Sequence, residues 1–204
     1  MTAFPRTLLP ANTSIWQYPP ALQSWGNSGK PQFRETGQRG RLWTEEWPPL
    51  LLSDQGVADF LATCGRLYRA GTIFTITTLD HLTPHGVGGG SPLVKGASQT
   101  GASLLVDAAP LSTTNWLKAG DIIKVAGVNW VLDVTANVTS DGSGNATIGI
   151  DPPILAGQSP ADNAVVTITA VTLNAAIIAM SSPPPMAGPN AWLGGFQLTF
   201  RECP

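Results

Sequence analysis

Across residues 117–153, short runs of β-branched and apolar residues are cut every few positions by residues that turn the chain. Gly120-Asp121 turns into the alternating run Ile122-Ile-Lys-Val125, and Gly127-Val128-Asn129 reverses the chain toward Trp130 and Val134. Asp141-Gly142 is a favoured hairpin dipeptide, because both central residues of a two-residue turn need positive φ. The stretch reads as strands and tight turns with almost no catalytic chemistry. The same punctuation runs from 93 to 171, where strands are predicted at 93–95, 103–107, 121–125, 130–134, 136–139, 146–150 and 164–171. Short strands separated by turns roughly every 8–12 residues suit a small barrel or sandwich.

Composition agrees with this reading and excludes some alternatives. The chain has 22 glycines and 18 prolines among 204 residues, and charged residues are only 12%, half the usual share. Hydrophobic residues at 43% and a net charge of −2 speak against disorder. That near-neutral balance gives no general attraction to nucleic acid or to an anionic membrane. No window approaches about 18 consecutive apolar residues, so no membrane-spanning helix is expected. The first seven residues lack a basic segment followed by an apolar run, so no secretion signal is expected either.

The region before residue 90 reads differently. Trp16, Trp25, Trp43 and Trp47 lie close together in sequence, and residues 39–47 are predicted as a strand that Pro48-Pro49 stops. A helix follows over residues 54–70, with Ser53 as N-cap and Val57, Phe60, Leu61, Cys64, Leu67 and Tyr68 recurring at helical spacing. Gly71 ends it, just after Arg66 and Arg69. Residues 72–79 alternate as a strand, and the Gly-rich loop 81–92, with Gly88-Gly-Gly90, is expected to be a flexible hinge into a second unit. Residues 172–181 suit a further strand, although 174–180 also tolerates helix. Pro183-Pro-Pro185 then breaks the pattern. The run Gly195-Phe-Gln-Leu-Thr-Phe200 alternates like a strand with one buried face and is expected to return to the first sheet. The fold expected is mainly β with one α-helix. A discontinuous sandwich domain, residues 1–90 with 172–204, would carry a small barrel or sandwich at 91–171.

The candidate chemistry is thin. His81 and His85 are the only histidines, and no third strong ligand accompanies them, so they read as loop histidines facing solvent or a partner subunit and no metal is expected. Asp141-Gly-Ser-Gly-Asn145 has oxygen-bearing side chains at alternate places, but it lacks the further carboxylates of a calcium loop. Neither Gly88–Gly90 nor Gly37-Gln-Arg-Gly40 ends in the Lys-Ser/Thr of a phosphate loop. Glu45-Glu46 and Asp107 have no second carboxylate placed beside them. Cys64 is expected to be a buried thiol, with a Cys64–Cys203 disulfide the less favoured alternative. No catalytic residue and no cofactor are expected, and the chain does not read as an enzyme. Most tryptophans read as core or domain-edge packing, and the remainder as anchors of an oligomeric interface. Trp116 and Trp130 are the candidates for glycan contact if the barrel binds sugar.

The order of elements resembles the distal tail proteins (minor tail proteins) of long-tailed bacteriophages. The resemblance rests on Phe4-Pro5, the strand from Gly37 to Trp47, the helix near 54–70, Gly71-Thr-Ile-Phe-Thr-Ile76, an inserted β-module and the closing Gly195-Phe-Gln-Leu-Thr-Phe-Arg-Glu202. The module, with Ala119-Gly-Asp121, Ser140-Asp-Gly-Ser-Gly144 and Pro152-Pro153, is similar to modules in several other virion proteins. The resemblance implies a tail-tube-like sandwich flanked by a helix. Six copies would form a ring at the virion's tail tip, joining the tail tube protein to the baseplate hub protein. The tape-measure protein and DNA would pass through the lumen. Arg39, Arg41 and Trp43, on what is read as an edge strand, and Thr75 and Thr77, on the strand after the helix, are the expected ring contacts. A receptor- or polysaccharide-binding module and a head–tail joining or decoration protein are the competing readings.

Overall fold

The structure is a computed structural model, and it describes residues 3–13, 22–25, 32–35, 40–51, 53–79, 81–181, 192–193 and 195–203. The expected strand start at 37–39 and the break at 183–185 lie outside these residues. The first strands are β1 (Asn12–Thr13), β2 (Leu22–Trp25), β3 (Gln32–Glu35), β4 (Leu42–Glu46) and β5 (Leu50–Leu51). Helix α1 (Gln55–Ala70) and β6 (Phe74–Thr77) follow. The next group is β7 (Leu93–Val94), β8 (Gly101–Asp107), β9 (Ile122–Val125), β10 (Leu132–Val134), β11 (Ala146–Ile154) and β12 (Val166–Thr167). The chain closes with β13 (Thr172–Ser181), β14 (Trp192–Leu193) and β15 (Gln197–Glu202). The protein is mainly β with one α-helix among the described residues, as expected.

Two compact units divide the chain: Met1–Ile76 with Asn174–Pro204, and Thr77–Leu173. The second is inserted into the first, leaving from β6 and returning on β13, which neighbour each other in one sheet. The inserted unit begins at Thr77 rather than at 91. Its Thr78 donates N–H to the Val171 carbonyl at 3.2 Å, so the two ends of the insertion meet.

In the first unit the sheet order is β1-β4-β15-β13-β6. β4 and β15 are antiparallel with Trp43 opposite Phe200 and Thr44 opposite Thr199. The period-two alternation sends Trp43, Leu198, Phe200, Phe74 and Ile76 to one face, where all are buried. α1 contributes Val57, Phe60, Cys64 and Leu67 to the buried set. The core is an aromatic cluster: Phe4 lies 5.2 Å from Phe74 and 5.3 Å from Phe200, Trp43 stacks on Phe200, and Trp47 sits 5.3 Å from Phe60. Such pairs add roughly 0.5–1.5 kcal/mol each beyond burial. The expected helix is present but its N-cap is Asp54, not Ser53. The Asp54 carboxylate accepts from Gly56 N at 2.7 Å and Val57 N at 3.3 Å, which satisfies two of the free first-turn donors. Gly71, at φ 57°, ends the helix as expected, donating its N–H to the last-turn carbonyls.

The second unit is a six-stranded sheet in the order β12-β9-β10-β11-β8-β7. An antiparallel bridge from Leu93 to Val165 joins its two ends, with Val94 N bonded to Ala164 O and Val166 N to Pro92 O. The sheet therefore curls into a small barrel, which removes the exposed edges that a flat sheet of this size would leave. Leu104, Val106, Trp116, Leu117, Ile123, Val125, Leu132, Ile148 and Ile150 fill it. The strand expected at 136–139 is reduced to one bridge between Leu117 and Val138. Residues 172–181 form strand, not helix.

Candidate functional site

Two regions gather the residues with polar chemistry: the sheet of the first unit, and the loops at residues 81–121 of the second.

Arg41 and Trp43, expected to face a neighbouring subunit, are instead buried, at 1% and 4% exposure. β4 is not an open edge, because β1 pairs with its far end, Asn12 opposite Glu46. Trp43 points to the inner face and donates its indole N–H to Glu45. Arg41 pairs with Glu202 at 3.3 Å, both side chains nearly fully buried. Glu45 is also buried and receives a two-pronged contact from Arg6, so it offers no free carboxylate for acid–base work. Arg39 lies outside the described residues.

Thr75 and Thr77 lie on β6, half-buried and alternating with the buried Phe74 and Ile76. Thr44 and Thr199 occupy the matching face of β4 and β15, with their hydroxyls 3.0 Å apart. Gln197 and Arg201 share that register on β15. The outward-facing residues are thus mixed: threonines on β4, β15 and β6, the charged Glu46 and Arg201, and Ala176 and Ala179 of β13, which lies between β15 and β6. The backbone of Phe4 bonds the Thr75 carbonyl at 2.8 Å, so the start of the chain pairs with β6.

In the second unit the tryptophan expectation needs correcting at Trp116. It has no exposure, and its indole N–H bonds the Gly89 carbonyl at 3.1 Å. A glycan cannot reach it without opening the core. Trp130 is half-buried in the turn between β9 and β10 and stays partly accessible.

The 81–92 loop is held, not hinged. Val87 N bonds Asn115 O at 3.0 Å, Gly88 N bonds Trp116 O at 2.9 Å and Ser91 N bonds Ala108 O at 3.1 Å. A Cβ on Gly86 would meet the Trp116 carbonyl and stand 2.7 Å from both the Asn115 carbonyl oxygen and the Leu117 Cα. Glycine serves here to let two backbones touch.

At the centre of this packing is Asp121, whose role the sequence does not reveal. Its side chain has no exposure, and its carboxylate accepts from Lys118 N and His85 N at 2.7 Å and from Gly86 N at 3.3 Å. The ring Nδ1 of His85 lies 2.7 Å from the same carboxylate. Burial pushes the Asp121 pKa up. The bonds from Lys118, His85 and Gly86 outweigh that and hold it below the ordinary carboxylate value. The Gly-Asp turn before a strand was visible in sequence, but its partner 36 residues earlier was not. His85 is 60% exposed, and its ring centre lies 5.5 Å from that of His81.

The Asp141 loop is an Asx turn, not a two-residue hairpin. Asp141 accepts from Ser143 N, Asn145 N and Asn145 Nδ2, and only Gly144 takes positive φ. These bonds, led by that from the Asn145 side chain, lower its pKa. Cys64 and Cys203 are free thiols, and burial pushes the Cys64 pKa up to about 12. That suppresses the thiolate needed for reactivity. No helix among the described residues is long and apolar enough to cross a membrane. No family model and no curated protein matches the chain.

Proposed function

We propose that this chain is a non-catalytic structural protein of a tailed phage particle. Copies of it form a ring at the tail tip that joins the tail tube to the baseplate hub. The observation that carries the reading is the two-faced sheet of the first unit. One face is sealed by α1 and the aromatic cluster, and away from it Thr44 stands opposite Thr199 while Thr75 and Thr77 of β6 alternate with the buried Phe74 and Ile76. A hydroxyl-bearing sheet face whose Glu46 and Arg201 offset each other in charge is suited to packing against neighbours or lining a lumen without trapping DNA, since its net charge is small. The insertion supports the same reading, because a barrel carried between adjacent strands decorates a ring subunit without breaking its sheet.

Sedimentation of the full chain tests the proposal. The wild type is expected to form a closed ring near six times the 21.3 kDa chain mass, with its tail partners present where they are needed. Thr75→Arg with Thr77→Arg is expected to shift it to monomer with an unchanged melting temperature. A wild type that stays monomeric at high concentration with tail partners present would remove the support.

A further inference from the structure

We propose that His81 and His85 bind one divalent transition-metal ion of the imidazole-preferring class, such as Zn²⁺ or Ni²⁺, with water completing its shell. Three observations carry this. First, the ring centres are 5.5 Å apart. Two imidazoles on one tetrahedral ion have metal–nitrogen distances of about 2.0–2.1 Å, which places their ring centres roughly 5 Å apart. The observed separation is close to that value. Second, the His85 Nδ1 lies 2.7 Å from the Asp121 carboxylate, which is fully buried and held by three backbone N–H groups. An ionised carboxylate only accepts, so in the neutral ring, the form that binds a metal, Nδ1 carries the proton and Nε2 the lone pair. A buried carboxylate that fixes the tautomer in this way is the arrangement by which proteins orient metal-bound histidines. Third, the ring remains 60% exposed while its backbone is pinned through His85 N, Gly86 N and Gly88 N, so the ligand is accessible and already ordered.

Among the described residues no group of three or more His, Cys, Asp or Glu side chains gathers for a metal. Among the described residues the site therefore has two protein ligands and open positions, which makes the ion exchangeable. Imidazole donors favour Ni²⁺, Cu²⁺ and Zn²⁺, whereas Mg²⁺ and Ca²⁺ require oxygen ligands.

The test uses the intact chain and Zn²⁺ alone. Because the chain has only two histidines, imidazole ¹H–¹⁵N spectra resolve both. Both rings are expected to shift together and saturate at one equivalent, with the His85 Nδ1 proton retained, while Mg²⁺ leaves both unmoved. Calorimetry should show at least a tenfold loss of affinity in His81→Ala and in His85→Ala. The proposal is overturned if neither ring shifts, if only one does, or if both substitutions leave Zn²⁺ binding unchanged. The spectra of the unsubstituted chain decide the matter even if a variant fails to fold.

Discussion

Asp121 and Gly86 show how much of the second unit rests on single residues. Asp121 has a depressed pKa in the folded state, so its contribution to stability is present above the ordinary carboxylate value of 3.8. It is lost as pH falls through the lower folded value. The urea midpoint of the wild type is expected to drop across that acid window, and Asp121→Asn should flatten the drop. The same substitution should cost about 1–3 kcal/mol at neutral pH, because an amide puts a donor against the Lys118, His85 and Gly86 N–H groups. An Asn variant with wild-type stability and an unchanged acid profile would contradict this role. Gly86→Ala should destabilise by about 1–3 kcal/mol, because its Cβ meets backbone that cannot move aside. Gly65→Ala, in the middle of α1 with nothing within 4 Å of the new Cβ, should instead stabilise by roughly 0.5–1 kcal/mol. Denaturant melts of the two variants should therefore move in opposite directions.

At the scale of elements, local pattern was a good guide where the signal was local. The spacing of Val57, Phe60, Cys64 and Leu67 fixes α1, and Gly71 fixes its end, because both depend on residues within one or two turns. The alternation of β4, β6 and β15 is equally plain. What sequence could not give was the partner of each strand. Arg41 and Trp43 read as edge residues because β1, some thirty residues away, is too short to announce itself. The glycines at 86–90 looked flexible because their close contact with 115–117 is a long-range fact. The N-cap is a nearer miss, since Ser53 and Asp54 are both good caps and only backbone geometry chooses between them. Asp54→Ala should cost about 1 kcal/mol, while Ser53→Ala should change the melting temperature little. Equal losses from both would mean that the cap is shared.

At the scale of the whole molecule, the chain is a small sheet-and-helix body interrupted by a barrel. The insertion was legible as a change of punctuation near residue 90 and as a closing strand with no partner in the second unit. Its boundary is hidden because residues 77–79 continue the strand pattern of the first unit and 81–92 carry loop-like composition, yet both belong to the barrel unit. The proposed ring is a claim about many copies, and no single chain carries it. It rests on the resemblance in element order and on the threonines that face away from the aromatic core of the first sheet. The most direct measurement is electron cryo-microscopy of intact particles. The account predicts a ring of six copies at the tail tip, with the Thr75–Thr77 face of each first sheet turned to a neighbour or to the lumen. Density for this chain on the capsid or at the head–tail joint, or single copies at the tail tip with that face open to solvent outside the ring, would contradict it.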